Sequence, residues 1–385
     1  MNNPNHKTKF KRLLDLNALI SKKSILLLGP RGVGKSFALR EQLKDNSYYI
    51  NLLKNQDYLK LSQNPSEIEQ MIDGQDKKIV VIDEIQKVAA LMDEVHRLIE
   101  EKNIRFLLTG SSARKLNSKK VNLLAGRAWI AKMYPLVFSE IPNFDLEKSL
   151  MYGMLPSIYL SEYPLDELES YVQTYLEAEI QLEGLVRKIP DFHRFLKAAA
   201  LSSGELLNYE NISSDAQVSA STVREHYKIL SDTLVGHILE PYKESKKRKA
   251  ISTSKFYFFD CGVLNYLSKV WPSDRESSMF GNRFEHFIIN EVIANVSYQR
   301  RKIDINFWRA SGQVEVDLLF GDTAVEIKSS KKATDRMAKN LHYLKEERQH
   351  KNFIVVSTDE TEKKSDGIHF MNYKLFLKRL TSGEI

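Results

Sequence analysis

Blocks of hydrophobic and polar positions alternate along the first third of the chain. Between residues 1 and 145, short apolar runs are separated by stretches in which apolar residues recur every three or four positions. The runs are SILLLG, SYYINL, KKIVVID and IRFLLTG. Nearly continuous apolar strands that alternate with amphipathic helices are typical of a parallel sheet covered on both faces. The pattern therefore predicts an α/β domain over residues 1–145.

The next part of the chain has a helical spacing of apolar residues. Between residues 146 and 200 these residues recur every three or four positions, and Gly204 then indicates a helix end. This pattern predicts a helical lid over residues 146–200.

Residues 201–270 resemble a winged helix-turn-helix. We predict a first helix that ends near Gln217, a turn at Val218 and Ser219, and a second helix over about 220–232. Two strands, HILEPY and KFYFFD, would form the wing with the basic loop KESKKRKA between them.

The last part of the chain, residues 278–385, predicts a further α/β domain. Its elements are a helix in RFEHFIINEVIAN, a strand in INFWR, a hairpin in VDLLFGDTAVEIK, a helix in DRMAKNLHYLKEE and a strand in FIVVS. In the hairpin, a two-residue turn at Gly321 and Asp322 would place Asp317 opposite Glu326.

The same register would place Glu315 opposite Lys328, with all four charged side chains on one face of the hairpin. Because like charges directly opposite each other are destabilising, something must compensate Asp317 and Glu326. Lys328 is one candidate and a divalent cation is the other.

Composition limits the class of protein. The chain has 385 residues, of which 42% are hydrophobic, and a net charge of +7. These values fit a globular protein of two or three domains and permit a polyanionic partner. The single cysteine, Cys261, excludes an internal disulfide and fits a small buried core residue. No segment has the length of a membrane span or the pattern of a signal peptide, so we expect a cytoplasmic protein that does not bind membranes.

The octapeptide GPRGVGKS matches the P-loop pattern in full, directly after the strand SILLL and before a helical pattern. Backbone amides of such a loop wrap phosphates, its lysine reaches the β and γ phosphates, and its hydroxyl binds magnesium. The sequence therefore predicts a site for ATP and Mg²⁺ formed by Gly29, Pro30, Arg31, Gly32, Val33, Gly34, Lys35 and Ser36.

Two carboxylates follow the strand in KKIVVIDEIQ. Asp83 lies at the strand end, where it can hold the magnesium ion through water. Glu84 follows it, and a carboxylate beside the metal ligand is what ATP hydrolysis needs to orient and deprotonate water. We therefore predict an ATPase, with Glu84 as the catalytic base.

With DEIQ and LLTGSSARKL, the N-terminal third resembles the AAA-type ATPase superfamily. The resemblance places Thr109 at the position of the first sensor. It places Arg127 where the family often carries an arginine finger, which implies a homo-oligomer. Arg114 is the alternative finger, an ordinary surface charge is the other interpretation of Arg127, and Arg187 is a candidate second sensor.

Nearly the whole chain resembles a widespread prokaryotic ATPase family that joins an AAA module to a helix-turn-helix and a C-terminal domain of long-unassigned function. The segments that carry this resemblance include GPRGVGKS, DEIQ, LTGSSAR, FYFFDCGVLNYL, GNRFEHFIINEV, FWRASGQVEVDLLF and VEIKSS. The last three also resemble the restriction-endonuclease-like superfamily. That resemblance implies a magnesium site for phosphodiester cleavage, with Glu285, Asp317 and Glu326 as ligands and Lys328 beside the attacking hydroxide. Glu315 is either a further ligand or only a charge partner.

Nucleic acid is the partner that these features share. The basic wing residues Lys243, Lys246, Lys247, Arg248 and Lys249 could contact phosphates, or form only a solvated loop. On the second helix, Ser221, Thr222, Arg224 and Lys228 could face a groove of DNA, although winged helices also contact proteins.

The sequence thus predicts an ATPase that couples ATP turnover in an oligomer to DNA processing, with possible Mg²⁺-dependent cleavage of duplex or branched DNA. The alternative is a nucleotide-switched regulatory ATPase whose nuclease-like domain is inactive and binds a partner.

Overall fold

A computed structural model describes residues 10–110, 124–176, 189–244, 252–272, 274–310, 314–347 and 350–385. The chain forms two compact units. The first extends to Leu136 and includes Asp232–Leu234, and the second comprises Val137–Ser231 and Val235–Ile385. Apart from Asp232–Leu234, the segments predicted as lid, helix-turn-helix and C-terminal domain therefore lie within one unit.

The first unit is built on a parallel sheet. Its described strands are β1 (Ser24–Leu28), β2 (Ser47–Asn51), β3 (Ile79–Asp83), β4 (Arg105–Gly110) and β5 (Ala128–Lys132). They lie in the order β2, β3, β4, β1, β5, and each neighbouring pair is parallel. Strands β1 to β4 coincide with the four predicted apolar runs, whereas the less buried β5 was not predicted.

Helices cover this sheet. They are α1 (Leu16–Ile20), α2 (Lys35–Leu43), α3 (Asn55–Gln63), α4 (Glu67–Asp73) and α5 (Leu91–Lys102), with a 3₁₀ turn over Ile85–Val88. Helix α5 is strongly amphipathic, and its Val95 and Leu98 join Ile82 and Leu108 of the sheet in one buried cluster. Apolar burial of this kind is the main source of stability for such a sheet.

The second unit begins with short helices. Its described helices are α6 (Leu146–Tyr152), α7 (Pro156–Tyr159), α8 (Pro164–Ser170), α9 (Ile189–Leu201), α10 (Tyr209–Ala216), α11 (Ala220–Asp232), α12 (Cys261–Ser268), α13 (Ser278–Tyr298), α14 (Lys339–Lys345) and α15 (Tyr373–Ser382). A π-helical turn spans Tyr171–Leu176, and 3₁₀ turns span Phe138–Glu140 and Asp335–Ala338. Cys261 is buried and free, in agreement with the prediction of a core residue.

The predicted turn between α10 and α11 is present. Gln217 follows α10 in the left-handed conformation that often ends a helix, and α11 begins at Ala220. Gly204, the predicted helix end, also has a positive φ of 89° and lies just beyond α9.

One mixed sheet runs through the second unit. Its described strands are β6 (Gly236–Pro241), β7 (Lys255–Phe258), β8 (Ile305–Ala310), β9 (Val314–Phe320), β10 (Thr323–Lys328), β11 (Asn352–Ser357), β12 (Lys363–Ser365) and β13 (Ile368–Asn372). The order is β12, β13, β11, β10, β9, β8, β6, β7. The two strands predicted as a wing, β6 and β7, thus pair with each other and continue the C-terminal sheet through β8.

Strands β9 and β10 form the predicted hairpin. Phe320 pairs with Thr323, and Gly321 has a φ of 53°, so the turn has two residues and uses the conformational freedom of glycine. The paired ladder stops at Leu318 and Val325, one position before Asp317 and Glu326. Both faces of the hairpin are largely buried, because helices cover the sheet.

Helix α13 carries a buried carboxyl group, Glu291, which accepts a hydrogen bond of 2.7 Å from the Phe138 amide. Burial, together with the nearby Glu140, raises the pKa of Glu291 to about 8. The folded state therefore retains a proton that the unfolded chain loses above its ordinary pKa near 4.5.

We expect the free energy of unfolding to fall by about 1 kcal/mol per pH unit between pH 5 and 8 through Glu291 alone. The stability that the bound proton contributes is complete below the unfolded pKa near 4.5 and is lost as the pH rises toward 8. Glu291→Gln should flatten this dependence, since the amide does not titrate. Denaturant unfolding at several pH values, with the exposed Glu205→Gln as control, measures it. Equal slopes for wild type and Glu291→Gln would contradict the expectation.

Candidate functional site

The P-loop connects β1 to α2 in the first unit. Gly32 and Gly34 have φ values of 81° and 92°, which residues with side chains rarely adopt. A Cβ atom on Gly29 would lie 2.4 Å from the carbonyl oxygen of Met133. The glycines are therefore required both by loop geometry and by close packing, and Gly34 directly precedes the first turn of α2.

Lys35 is buried within this loop. Its ammonium donates hydrogen bonds to the carbonyl oxygens of Gly29, at 2.6 Å, and Pro30, at 3.0 Å. These contacts hold the positive charge inside the loop, where the phosphate oxygens of a nucleotide would meet it.

Asp83, at the end of β3, is buried and accepts two hydrogen bonds of 2.5 Å. The Thr109 hydroxyl donates to one carboxylate oxygen and the Tyr49 phenol donates to the other. The Ser36 side chain lies near the phenol of Tyr49. The structure thus brings three predicted residues, Ser36, Asp83 and Thr109, to one point at the carboxyl edge of the sheet. Tyr49 was missed, because a tyrosine in a strand fits ordinary packing.

Glu84 has the left-handed φ of 64° and is only partly buried. Its amide donates to the Thr109 hydroxyl at 2.9 Å, and its carboxylate accepts a hydrogen bond from the Gln86 amide group. A non-glycine residue held in this conformation costs on the order of 1 to 3 kcal/mol and is common at active sites. The contact with Thr109 anchors the backbone of Glu84 beside Asp83.

A second cluster of charged side chains lies at the end of the β9–β10 hairpin. Asp317 is buried and accepts a hydrogen bond of 2.7 Å from the Ile327 amide. The Lys328 ammonium lies 2.7 Å from one oxygen of Glu326 and 3.4 Å from Asp317. The other oxygen of Glu326 is buried without a hydrogen-bond partner among the described residues. Lys328 therefore compensates both carboxylates, one of the two predicted solutions.

Glu315, which the hairpin register would place opposite Lys328, has other partners. Glu315 instead contacts Lys255 and the guanidinium of Arg309, the latter at 2.8 Å. Arg309 lies opposite Glu315 on β8, and Lys255 comes from β7, so the neighbouring strands supply the counter-charges.

Glu285, on α13, lies beside the same cluster. The phenol of Tyr257 donates to it at 2.7 Å, and the Lys255 ammonium is 3.9 Å away. Burial and the charge of Asp317 raise the pKa of Glu285 to about 7. Burial and Asp317 also raise the pKa of Glu326, whereas neighbouring carboxylates raise the pKa of Lys328 against the effect of burial.

Lys255 and Tyr257 were not predicted as members of this cluster, because the sequence offers no local link between β7 and the hairpin.

The carboxylates of the hairpin cluster supply only some of the ligands that a divalent cation needs. Asp317 and Glu326 supply the oxygen donors that Mg²⁺ and Mn²⁺ prefer, and the unpartnered Glu326 oxygen is a free acceptor. In the described ranges, however, no group of three or more His, Cys, Asp or Glu side chains is arranged to hold a metal ion. The predicted three-carboxylate ligand set is therefore not assembled, although a pair of carboxylates is.

Family models match three consecutive parts of the chain. Residues 21–142 match a model described as "AAA domain". Residues 143–274 and 280–376 match two models that are each described as a "Domain of unknown function" (DUF8612 and DUF4143). The first match covers the sheet, the P-loop and Asp83 with its partners. The N-terminal region is therefore a parallel-sheet, P-loop ATPase-like domain that matches the AAA model.

Two relatives match most of the chain at low sequence identity. The chain is 24% identical to an uncharacterized protein of Haemophilus influenzae, over 89% of this chain and 91% of that one. It is also 24% identical to an uncharacterized protein of Methanocaldococcus jannaschii, over 84% and 79% respectively. The solved structure of a Walker-type ATPase of Pyrococcus abyssi aligns with 69% of this chain and 98% of its own, at 16% identity and a TM-score of 0.45.

Two arginines of the first unit differ in their surroundings. Arg127, the predicted finger, is partly exposed and forms an ion pair of 2.5 Å with Glu100. Arg12, which was not predicted, is buried and donates to the carbonyl oxygens of Val33 in the P-loop and Tyr134. Arg114 and Arg187 lie outside the described residues.

The second helix of the predicted helix-turn-helix, α11, presents polar side chains outward. Ser221, Arg224 and Lys228 are exposed, and Thr222 is partly exposed. The guanidinium of Arg224 stacks over the Tyr209 ring at 4.8 Å. In the loop between β6 and β7, Lys243 is exposed, and the remaining basic residues lie outside the described part, namely Lys246, Lys247, Arg248 and Lys249.

In the described ranges, no helix combines the length and the apolar character needed to cross a membrane.

Proposed function

We propose that this protein hydrolyses ATP in its AAA domain and couples the turnover, within a homo-oligomer, to DNA processing. The observation that carries the proposal is the pair of hydrogen bonds from Tyr49 and Thr109 to Asp83 beside a complete P-loop. A loop that only bound nucleotide would not need the polar side chains of two further strands at this position.

In this mechanism each residue has a distinct role. Backbone amides of residues 29–35 and the Lys35 ammonium bind the phosphates, and Ser36 and Asp83 would hold Mg²⁺, which neutralises charge on the phosphates. Glu84 accepts the proton of the attacking water. Thr109 fixes Asp83 and the Glu84 backbone together, which supports its assignment as first sensor.

Oligomerisation is part of the proposal because of Arg127. Its side chain is partly exposed on the AAA domain and its ion pair with Glu100 is at the surface, where such pairs are weak. A neighbouring subunit's nucleotide could therefore attract Arg127 away from Glu100 at low cost.

The second unit would act on DNA through its carboxylate pair. Asp317 and Glu326 would bind a divalent cation, which supplies a hydroxide and neutralises charge on a phosphodiester. Lys328 is held beside both carboxylates, so it is placed to stabilise negative charge, and Glu285 can exchange a proton near neutral pH. Cleavage of duplex or branched DNA is the reaction that this arrangement best supports.

One observation favours a second candidate, a nucleotide-switched regulatory ATPase. Lys328 already neutralises Asp317 and Glu326, and Lys255 with Arg309 neutralises Glu315. A cluster compensated in this way can be purely structural. In that case the second unit binds a partner and cuts nothing.

The test is the ATPase rate in the presence of single-stranded, duplex and branched DNA. We expect at least one of these to raise the rate several-fold, since coupling requires that DNA alters turnover. A rate that no DNA changes would favour the regulatory function.

The salt dependence of DNA affinity tests the surface of α11. Replacement of Arg224 and Lys228 together by alanine should flatten the slope of log affinity against log salt by about 0.9 for each phosphate that these side chains neutralise on duplex DNA. Exposed Lys197→Ala is a matched control on α9 and should leave the slope unchanged. The same slope in the double variant and in wild type would exclude α11 as a DNA-binding surface.

A further inference from the structure

Tyr49 occupies a position that the roles above leave unassigned. It lies on β2, where its backbone pairs with Val81 of β3, and its phenol reaches past the strand end to Asp83. The phenol donates a hydrogen bond of 2.5 Å to one oxygen of Asp83. The other oxygen accepts from Thr109. Both oxygens of the carboxylate are thereby oriented by hydroxyl groups from the two strands that flank β3.

The Ser36 side chain lies near the same phenol, and the phenol donates to Asp83. Ser36 follows the P-loop lysine on α2, and Asp83 ends β3, so Tyr49 lies beside side chains of two elements that are not adjacent in sequence. These are the two side chains that would hold magnesium.

We propose that Tyr49 is a positioning residue for the magnesium ion of the ATPase site, because its phenol fixes the orientation of the Asp83 carboxylate. The proposal rests on the ATPase function proposed above. Tyr49 itself neither contacts the phosphates nor accepts the proton of water. Replacement of Tyr49 should therefore reduce the amount by which Mg²⁺ increases the affinity for nucleotide.

The acceptor of the phenol's hydrogen bond supports this role. Tyr49 is partly buried, and the group that accepts its hydrogen bond is the carboxylate of Asp83. Because a hydrogen bond to a charged acceptor is stronger than one between neutral groups, this contact holds Asp83 in one orientation.

The neighbouring tyrosine supplies a matched control. Tyr48 lies on the same strand and packs with the apolar cluster of the sheet that includes Ile82 and Leu108. Its pKa is raised by burial and by Asp57, with no contribution from Asp83. Tyr48→Phe thus removes a phenol of the same strand without touching the magnesium ligands.

The experiment measures the affinity for a fluorescent ATP analogue in millimolar Mg²⁺ and again in EDTA. Wild type should bind more tightly with Mg²⁺. Tyr49→Phe should lose about tenfold in affinity with Mg²⁺ and less than about twofold in EDTA, since one oriented ligand is weakened. Tyr48→Phe should match wild type under both conditions.

The possible outcomes separate this inference from the proposed function. If wild type fails to bind the analogue, the ATPase proposal fails and the role of Tyr49 fails with it. A second outcome is that wild type binds the analogue more tightly with Mg²⁺ than in EDTA while Tyr49→Phe shows the same or a larger difference. In that case only the role of Tyr49 is overturned. An equal loss of affinity with Mg²⁺ and in EDTA would indicate general damage to the loop and would also overturn it.

Discussion

Lys35→Ala should weaken ATP binding by about 100-fold, whereas Glu84→Gln should leave binding intact and reduce turnover by at least about 100-fold. Lys35 donates within the P-loop, and its loss removes charged hydrogen bonds to the phosphates. Glu84 lies outside the loop, beside Asp83, where a glutamine fills the same space but cannot accept a proton from water. Titration with labelled ATP and steady-state phosphate release measure the two quantities separately.

Suitable controls lie in the same domain. Lys44→Ala removes an exposed lysine at the end of α2, and Glu101→Gln changes an exposed carboxylate on α5. Both should behave as wild type. If Glu84→Gln loses ATP affinity as strongly as Lys35→Ala, then Glu84 supports binding, and its role as the base is wrong.

Asp317→Ala and Asp317→Asn should abolish divalent-metal binding in the second unit and any DNA cleavage that depends on it. Asp317 and Glu326 are the buried carboxylates between which Lys328 lies, and a cation needs both. Lys328→Ala should retain the metal, because the ligands remain, and lose cleavage, because the charge beside the phosphodiester is gone. We expect these results from calorimetric titration with Mn²⁺ and from cleavage assays on linear and branched DNA.

Glu315→Gln is the matched control. Glu315 forms ion pairs with Lys255 and Arg309, so this substitution should not change the metal affinity. Wild type that binds no metal at millimolar concentrations, even with DNA present, would make the cluster structural and favour the regulatory function. Wild type that binds metal and cuts nothing would leave the AAA domain as the enzyme and the second unit as a DNA clamp.

Much of the fold followed from local sequence patterns. The apolar runs predicted β1 to β4, and the match to GPRGVGKS predicted the loop that Gly29, Gly32 and Gly34 form. The glycine-first turn predicted the hairpin register through Leu318 and Val325. These features depend on the backbone preferences of a few consecutive residues, so the sequence contains the information directly.

Long-range contacts of the two sites depended on the tertiary structure. Tyr49 contacts Asp83 because β2 lies beside β3 in the sheet. The order of parallel strands is set by the packing of helices across the whole sheet, and no local pattern in SYYINL indicates it.

The C-terminal cluster shows the same division between sequence and structure. The period of two placed Asp317 and Glu326 near each other, but the partner of Glu315 depended on which strands flank the hairpin. Strand β7, which lies far earlier in the chain, supplies Lys255 because β6 pairs with β8 and extends the sheet. The sequence alone determined which charges the hairpin carries, and only the tertiary structure decided which of them neutralise one another. The reason is that Coulomb interactions follow distance in space, which chain packing sets.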